Sequence, residues 1–228
     1  GDRFAVMATD SIEHIETALA ICRAGGVYVP LNYRLREEEV GYLLSDSDPV
    51  LLAVDPDYLD IARAVRQKVT SVGHIVVFGA ASDDVLAHDD VVSRGAATYP
   101  SVELRPDDVV QIQYSSGTTG LPKGAVLTHH TLSSRTAIGL VESGRFAGDI
   151  SFHNAPFFHV AGSQLDYSVL VKGGTVLRHR QFDAERAAHA LQDLGVTSAF
   201  FVPSMINAVL QVPEISSLDF SKLRLIEY

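Results

Sequence analysis

Two kinds of apolar segment alternate along this chain, and together they predict alternating helices and strands. Short continuous apolar runs are typical of strands buried on both faces, whereas apolar residues that recur every three or four positions are typical of amphipathic helices. The alternation favours a parallel sheet flanked by helices, because parallel strands need a long crossover connection. The predicted strands span residues 27–31, 50–54, 74–78, 109–114, 151–155, 175–178 and 198–202, and the predicted helices span 36–44, 57–68, 129–141, 161–171, 183–194 and 204–210.

A further helix is predicted near the start of the chain, after Asp10. The carboxylate of Asp10 can cap this helix while Glu13 occupies its third position. Gly25 and Gly26 end it, since glycine readily adopts the backbone conformations found just past a helix. We expect its apolar stripe to face the core, with Cys22 as a packing residue. The stripe consists of Ile12, Ile15, Leu19 and Cys22.

The order of the predicted elements indicates an α/β fold of two lobes with mostly parallel sheets flanked by helices. Residues 79–107 are rich in Ala, Asp and Ser and are predicted to form a connecting surface region. The segment from Gly144 to Asp149 is predicted to be a short hinge. The first lobe is therefore placed at 1–149 and the second at 150–228, and the second is expected to be incomplete because the chain ends within a predicted strand.

Composition narrows the function classes. The chain has 228 residues, of which 46% are hydrophobic, and it carries a formal net charge of -10. Without a cluster of Lys and Arg, this charge argues against binding a nucleic-acid backbone. The single cysteine excludes an internal disulfide and fits a reducing compartment. No apolar run approaches the ~20 residues that cross a bilayer, so a cytoplasmic protein is expected.

The segment from Tyr114 to Gly124 has the composition of a loop that grips a polyphosphate. It follows the predicted strand 109–114, and a helical pattern resumes after it from Thr128. Glycines let backbone N–H groups approach an anion, and hydroxyl side chains add further donors. Lys123 supplies a compact positive charge for phosphate oxygens. The candidate phosphate-binding residues are Ser115, Ser116, Gly117, Thr118, Thr119, Gly120 and Lys123.

This loop is not a Walker A loop. That motif needs a glycine directly before its lysine and a Ser or Thr directly after it. Here Pro122 precedes Lys123, and Gly124 follows it. The alternative to phosphate binding is a polar surface turn, which is what isolated clusters of Gly, Ser and Thr commonly form.

The loop closely resembles the phosphate-binding signature of the adenylate-forming superfamily, which contains acyl-CoA synthetases, luciferases and the adenylation domains of peptide synthetases. Two other segments also resemble this family. Residues 25–32, with Arg34, Leu35 and the acidic run 37–39, are similar to its early helix-strand-helix segment. The run Phe157-Phe158-His159-Val160-Ala161-Gly162 is similar to its acyl-pocket motif. The resemblance therefore covers essentially the whole chain.

The resemblance implies ATP-dependent activation of a carboxylic acid to an acyl-adenylate. Attack by the thiol of coenzyme A then gives an acyl-CoA, AMP and pyrophosphate. It implies that Lys123 and the loop donors hold the β- and γ-phosphates and that Mg²⁺ shares their charge. It also implies that Phe158, His159, Val160 and Gly162 line the acyl pocket. The partners expected are thus the acid, ATP and CoA.

His159 helps to choose among these relatives. In amino-acid-activating domains an Asp commonly occupies this place and pairs with the substrate ammonium. Since His159 stands here among apolar residues, an ordinary apolar acid, such as a fatty acid, is favoured. The identity of the substrate acid and the length of its chain stay open.

Other polar and aromatic residues are given structural roles. His129 and His130 are expected in an exposed first helical turn, and the run 37–39 on a solvated helix face. No metal site is predicted, because no ligand spacing is evident around three other histidines, His153, His179 and His189. Tyr28, Tyr33 and Tyr42 are predicted to be packing residues.

The later motifs of the family are not found in this sequence. They are a Thr-Glu turn that helps hold Mg²⁺, an Asp that binds ribose, and a C-terminal domain that carries a catalytic Lys. We therefore expect the chain to be a piece of a longer parent protein and to be inactive or nearly so alone. Two alternatives stay open. One is a non-catalytic nucleotide- or acyl-binding module, and the other is an adenylate-forming enzyme that uses a carrier-protein thiol or an oxygen as acceptor.

Overall fold

The computed structural model describes residues 1–98, 101–115, 120–142, 144 and 146–228. They form two compact units, Gly1–Leu132 and Ser133–Tyr228. Each unit contains one sheet, and the last strand of the first sheet ends at Thr128 while the first strand of the second begins at Ile150. The predicted α/β fold with mostly parallel sheets is confirmed, and the units divide earlier in the chain than the predicted boundary at 149/150.

The first unit alternates strands and helices from its first residues onward. Its elements are β1 (Arg3–Met7), α1 (Ile12–Arg23), β2 (Val27–Pro30), α2 (Glu37–Ser47), β3 (Leu51–Val54), α3 (Leu59–Arg66), β4 (His74–Val77), β5 (Leu86–Ala87), α4 (His88–Ser93), β6 (Val109–Tyr114) and β7 (Gly124–Thr128). Helix α5 (His129–Glu142) follows and crosses into the second unit.

Seven strands of the described residues form the sheet of the first unit, in the order β5-β4-β3-β1-β2-β6-β7. All neighbouring strands are parallel except β6 and β7, which are antiparallel. The central strands are buried on both faces, which explains why they are continuous apolar runs in the sequence. Helix α2, predicted over 36–44, packs on this core through Val40, Leu43 and Leu44.

The second unit repeats the alternation. Its elements are β8 (Ile150–His153), α6 (Val160–Val171), β9 (Thr175–Leu177), α7 (Ala184–Asp193), β10 (Ser198–Phe200), α8 (Pro203–Leu210) and β11 (Leu225–Glu227). Their strands form a parallel sheet in the order β11-β10-β8-β9. Phe152, Leu191 and Phe201 are among the buried residues of its core. No helix among the described residues combines the length and the apolar character needed to cross a membrane.

For helix α1, the predicted N-cap residue and the predicted buried face were both wrong. Ser11, not Asp10, is the N-cap, and its hydroxyl accepts a hydrogen bond from the His14 N–H at 3.1 Å. Ile12 and Leu19 are exposed, at 73% and 43% of their surface. The buried residues of the helix are His14, Ala18 and Ile21. A polar residue can take the inward face here because the His14 imidazole lies 2.8 Å from the Tyr28 hydroxyl inside the core.

The region 79–107, predicted to be a connecting surface region, also contains the short elements β5 and α4. One further prediction was wrong in part. The segment after the candidate phosphate loop was expected to lead into a helix, but strand β7 comes between them. The loop therefore connects two antiparallel strands.

Candidate functional site

The candidate phosphate loop joins the ends of β6 and β7 in a β-hairpin. Tyr114, the last residue of β6, pairs with Gly124, the first residue of β7. Just beyond this pair, the N–H of Ser115 donates to the carbonyl of Lys123 at 3.1 Å. Four of the predicted ligands lie outside the described residues, namely Ser116, Gly117, Thr118 and Thr119. What the structure describes is thus the base of the loop.

Lys123 lies at this base with its backbone in the hairpin and its side chain in solvent. Ser115 and Gly120 are also exposed, so the described polar groups of the loop face the solvent, from which an anionic ligand would arrive. At Gly124 an added Cβ would lie 2.7 Å from Cγ2 of Ile112, closer than Cβ atoms ordinarily come to another heavy atom. The glycine after Lys123 therefore lets the hairpin pack closely against Ile112.

Two tyrosine hydroxyls, those of Tyr42 in α2 and Tyr114 in β6, form hydrogen bonds that connect α2 to the base of the loop. The Tyr42 hydroxyl donates to the carbonyl of Pro122 at 3.2 Å, and the Tyr114 hydroxyl donates to the carboxylate of Asp46 at 2.5 Å. Burial of the phenol, and next the bond to Asp46, raise the pKa of Tyr114, so its proton stays in this hydrogen bond. Tyr42 was predicted to be a packing residue, and its polar contact with the loop is additional.

The candidate acyl-pocket residues surround the start of α6. Phe157 and Phe158 are buried, with 0% and 9% of their surface exposed. His159 is exposed and forms the N-cap, where its Nδ1 accepts a hydrogen bond from the Ala161 N–H at 3.3 Å. An accepting Nδ1 places the proton of a neutral ring on Nε2. His159 is thus not a packed core histidine, since the residue is exposed.

Gly162 occupies the first turn of α6, where backbone leaves no room for a side chain. An added Cβ would lie 2.2 Å from the carbonyl oxygen of Pro156 and 2.6 Å from that of Ala155. Real Cβ atoms do not approach backbone oxygens this closely. The chain before α6 can therefore pack against the helix only if position 162 is a glycine. Val160 begins the helix and is partly buried. The motif therefore has a structural role in shaping this turn.

A charged cluster missed by the sequence analysis lies inside the second unit. Asp166 of α6 is fully buried and bonds to Arg178, which directly follows β9, with its two oxygens 3.1 and 2.9 Å from the guanidinium Nη1. His153 Nδ1 lies 2.8 Å from Asp166 Oδ1. Arg178 also donates to the carbonyl of Ala155, ahead of the acyl-pocket motif. Asp166 is the one charged residue in the sequence of α6, and this was the available signal.

Three potential metal ligands meet on the surface of the second unit, although no metal site was predicted. Glu185 and His189 are one turn apart on α7, and Glu214 follows α8; one ligand atom from each lies within 4.8 Å of the others. His189 Nε2 is 3.0 Å from Glu214 Oε1. His189 therefore has acidic neighbours that its sequence spacing alone did not reveal. The described residues offer nothing further that points to an ion at this exposed position.

The comparison with known protein families settles the class of the chain. A family model described as AMP-binding enzyme matches residues 1–227. The chain belongs to this family. The predicted membership of the adenylate-forming superfamily is therefore confirmed, over nearly the full chain.

Individual relatives agree with this family. A feruloyl-CoA synthase of an Amycolatopsis species is 34% identical over 225 residues, which cover 98% of this chain and 43% of the synthase. The inhibitor-bound N-terminal domain of FACL13 from Mycobacterium tuberculosis superposes with a TM-score of 0.91 at 29% identity, over 99% of this chain and 56% of that one. ATP-bound MatB from Rhodopseudomonas palustris superposes with a TM-score of 0.86 at 28% identity, over 99% and 44%. The chain spans less than half the length of the synthase.

Proposed function

We propose that the parent protein of this chain is an AMP-forming acid–thiol ligase, which activates an apolar carboxylic acid with ATP and transfers the acyl group to coenzyme A. The observation that carries the proposal is the hairpin base of the loop, which presents Lys123 to solvent in a chain of the AMP-binding family. The ATP-bound MatB structure, which superposes on the chain, supports ATP as the nucleotide.

In the first step, a carboxylate oxygen of the acid attacks the α-phosphorus of ATP. The bond from this phosphorus to the bridging oxygen of the β-phosphate breaks, and pyrophosphate leaves with the bonding electrons. Two anions must approach each other, and negative charge grows on the leaving group, so fixed positive charge lowers the barrier. Lys123 would supply this charge from the base of the loop, together with the donors predicted at 115–120.

The second step transfers the acyl group. The CoA sulfur attacks the acyl carbon of the adenylate, a thioester forms, and AMP leaves. Coenzyme A is proposed because the feruloyl-CoA synthase relative carries this acceptor in its name. Mg²⁺ would come with ATP, held largely by phosphate oxygens and water, as is usual for this ion.

An apolar or aromatic acid is proposed as the substrate. His159 has no carboxylate, so it offers no anionic partner to a substrate ammonium, unlike the Asp of amino-acid-activating relatives. The side chains next to it in the motif are apolar. His159 is exposed, and its Nε2–H would contact the carboxylate of the acid.

The test is acid-dependent exchange of labelled pyrophosphate into ATP by the purified parent protein, across a panel of fatty and aromatic acids. We expect exchange with at least one apolar acid, and AMP release with thioester formation when CoA is added. Lys123→Ala should reduce the exchange rate about 10²- to 10³-fold, the usual effect of removing a group that stabilises transition-state charge. Lys68→Ala is the matched control, because Lys68 is an exposed lysine paired with Glu37 on α2.

Each alternative gives a different result. Binding of MgATP that depends on Lys123, without any pyrophosphate exchange, would indicate a non-catalytic binding module. Exchange without thioester formation would indicate another acceptor, such as a carrier-protein thiol. We propose that the 228-residue chain alone is inactive, and robust acyl-CoA formation by it would contradict that part.

A further inference from the structure

We infer that helix α2 sets the position of the phosphate loop through Tyr42 and Asp46, which act as positioning residues for Lys123. This inference rests on the proposed function for its catalytic consequence. It concerns contacts that lie wholly within the first unit. The sequence analysis assigned Tyr42 a packing role and gave Asp46 no role.

The backbone of Lys123 is restrained at three successive points. The carbonyl of Pro122 accepts a hydrogen bond from the Tyr42 hydroxyl at 3.2 Å. The carbonyl of Lys123 itself accepts from the N–H of Ser115 at 3.1 Å. Gly124 is paired with Tyr114 in the sheet. Only the side chain of Lys123 is left in solvent, so its backbone is fixed while its ammonium can adjust to a phosphate.

The other end of the loop is attached to the same helix. Tyr114 immediately precedes Ser115, and its hydroxyl bonds to Asp46 at 2.5 Å. Tyr42 and Asp46 are four residues apart on α2, a spacing that places both side chains on one helix face. A single face of the helix thus holds the residue before the loop and the residue before Lys123.

Helix α2 is a firm support for these contacts. Val40, Leu43 and Leu44 are at most 3% exposed and pack in the core of the first unit. The Tyr42 ring packs against the same core, so its hydroxyl is held at a defined place. A hydrogen bond from a helix fixed in the core reduces the number of conformations open to the backbone at Pro122 and Lys123. Since misplacement of a catalytic group by about 1 Å can cost about 10²-fold in rate, such restraint matters for Lys123.

Tyrosine-to-phenylalanine substitution separates positioning from packing. Tyr42→Phe keeps the ring in the core and removes only the hydroxyl that bonds to Pro122. In the parent protein we expect pyrophosphate exchange to slow about tenfold and the KM for ATP to rise about threefold, with the KM for the acid unchanged. Both expected changes are of the order caused by the loss of one hydrogen bond. The rate changes more than the KM because the rate also depends on the exact position of Lys123. Tyr114→Phe should act in the same direction.

Tyr58→Phe is the matched control. The Tyr58 ring also packs against the core of the first unit, but it stacks on Tyr33, 5.8 Å away, and not on the loop. We expect this variant to keep the exchange rate and both KM values of the parent protein. A merely structural role of Tyr42 would lower the amount of folded protein and leave the KM for ATP unchanged.

A second measurement does not depend on catalysis. Amide hydrogen exchange of Ser115 reports on its bond to the Lys123 carbonyl. We expect Tyr42→Phe to speed this exchange about two- to tenfold and Tyr58→Phe to leave it unchanged. Unaltered exchange at Ser115, or kinetics of Tyr42→Phe equal to those of Tyr58→Phe, would overturn the inference. Absence of pyrophosphate exchange in the unsubstituted protein would instead overturn the proposed function, and the amide measurement would still decide the role of Tyr42.

Discussion

Asp166 and Arg178 form an ion pair inside the second unit, with 2.9 Å between Oδ2 and Nη1 and with 0% and 6% of the two side chains exposed. Asp166 belongs to α6, and Arg178 directly follows β9. Arg178 also bonds to the carbonyl of Ala155, just before the acyl-pocket motif. The pair therefore connects the sheet and the helix to the segment that leads to His159.

Removal of the charge of Asp166 should destabilise the second unit strongly. Asp166→Asn keeps the shape of the side chain but removes the carboxylate that pairs with the buried guanidinium of Arg178. Breaking a buried pair from one side typically costs about 3–5 kcal/mol. Native-state amide hydrogen exchange of α6 in the parent protein measures this loss as a lower opening free energy.

The control for this substitution is Asp193→Asn. Asp193 is an exposed residue at the end of α7 that bonds to the neighbouring Gln192 side chain. We expect it to change the opening free energy of α6 by no more than about 0.5 kcal/mol. An equally small effect of Asp166→Asn would show that the pair is not important for stability.

Gly162 and Gly41 should respond in opposite directions to the same substitution. Gly162→Ala brings a Cβ to 2.2 Å from the carbonyl oxygen of Pro156, and overpacking of this kind typically costs about 1–3 kcal/mol. At Gly41, inside α2, the nearest atom to a Cβ is 3.9 Å away, so Gly41→Ala should stabilise that helix by up to about 1 kcal/mol. The opening free energies of α6 and α2 from amide exchange check the two values. Equal effects of the two substitutions would contradict the crowding at Gly162.

Cys22 should be slow to react in the folded protein. Burial raises the pKa of its thiol to about 12, against an ordinary value of 9.0 in the unfolded chain, and a backbone hydrogen bond offsets only part of this. The thiolate is the reactive form, so alkylation by iodoacetamide at pH 8 should be at least about 10²-fold slower than in urea, as measured by mass spectrometry of the Cys22 peptide. Similar rates in both conditions would contradict the raised pKa.

The same shift predicts a pH dependence of stability. Between pH 9 and about 12 the unfolded chain loses the thiol proton while the folded chain keeps it. The folded state then binds more protons, so this contribution lowers the free energy of unfolding as the pH rises through this range. Below pH 9 both states are protonated, and the contribution disappears. Cys22→Ala should remove this part of the alkaline destabilisation.

Most of the central helices and strands could be predicted from the sequence because their burial produces a regular pattern of apolar residues. The continuous apolar run at β3 and the three-four spacing of Val40, Leu43 and Leu44 in α2 both report directly on packing. Strand β7 was missed since Ala125 and Val126 are exposed in it, so it lacks the buried run that marked the other strands. Its existence depends on pairing with β6, which is a tertiary interaction.

The buried face of α1 and the charged cluster of the second unit were missed for a related reason. His14 and Asp166 are polar residues on inward faces, and a hydrophobic pattern assigns such positions to the surface. Each is compatible with the core only because a distant partner, Tyr28 or Arg178, completes its hydrogen bonds. For the candidate site, the motif identified Lys123 and His159, whereas the helix that holds the loop could be found only from the fold.

His159 should combine two roles that a pair of substitutions can separate. Its Nδ1 caps α6 through the Ala161 N–H, and loss of an N-cap typically costs about 0.5–2 kcal/mol. His159→Ala should therefore lower the stability of α6 and also change the ranking of acids in the pyrophosphate exchange assay of the parent protein. His159→Asn restores a capping oxygen without the ring, so it should recover the stability but not the original ranking of acids. If His159→Asn kept the original ranking, the imidazole would have no part in acid selection and His159 would be a cap alone.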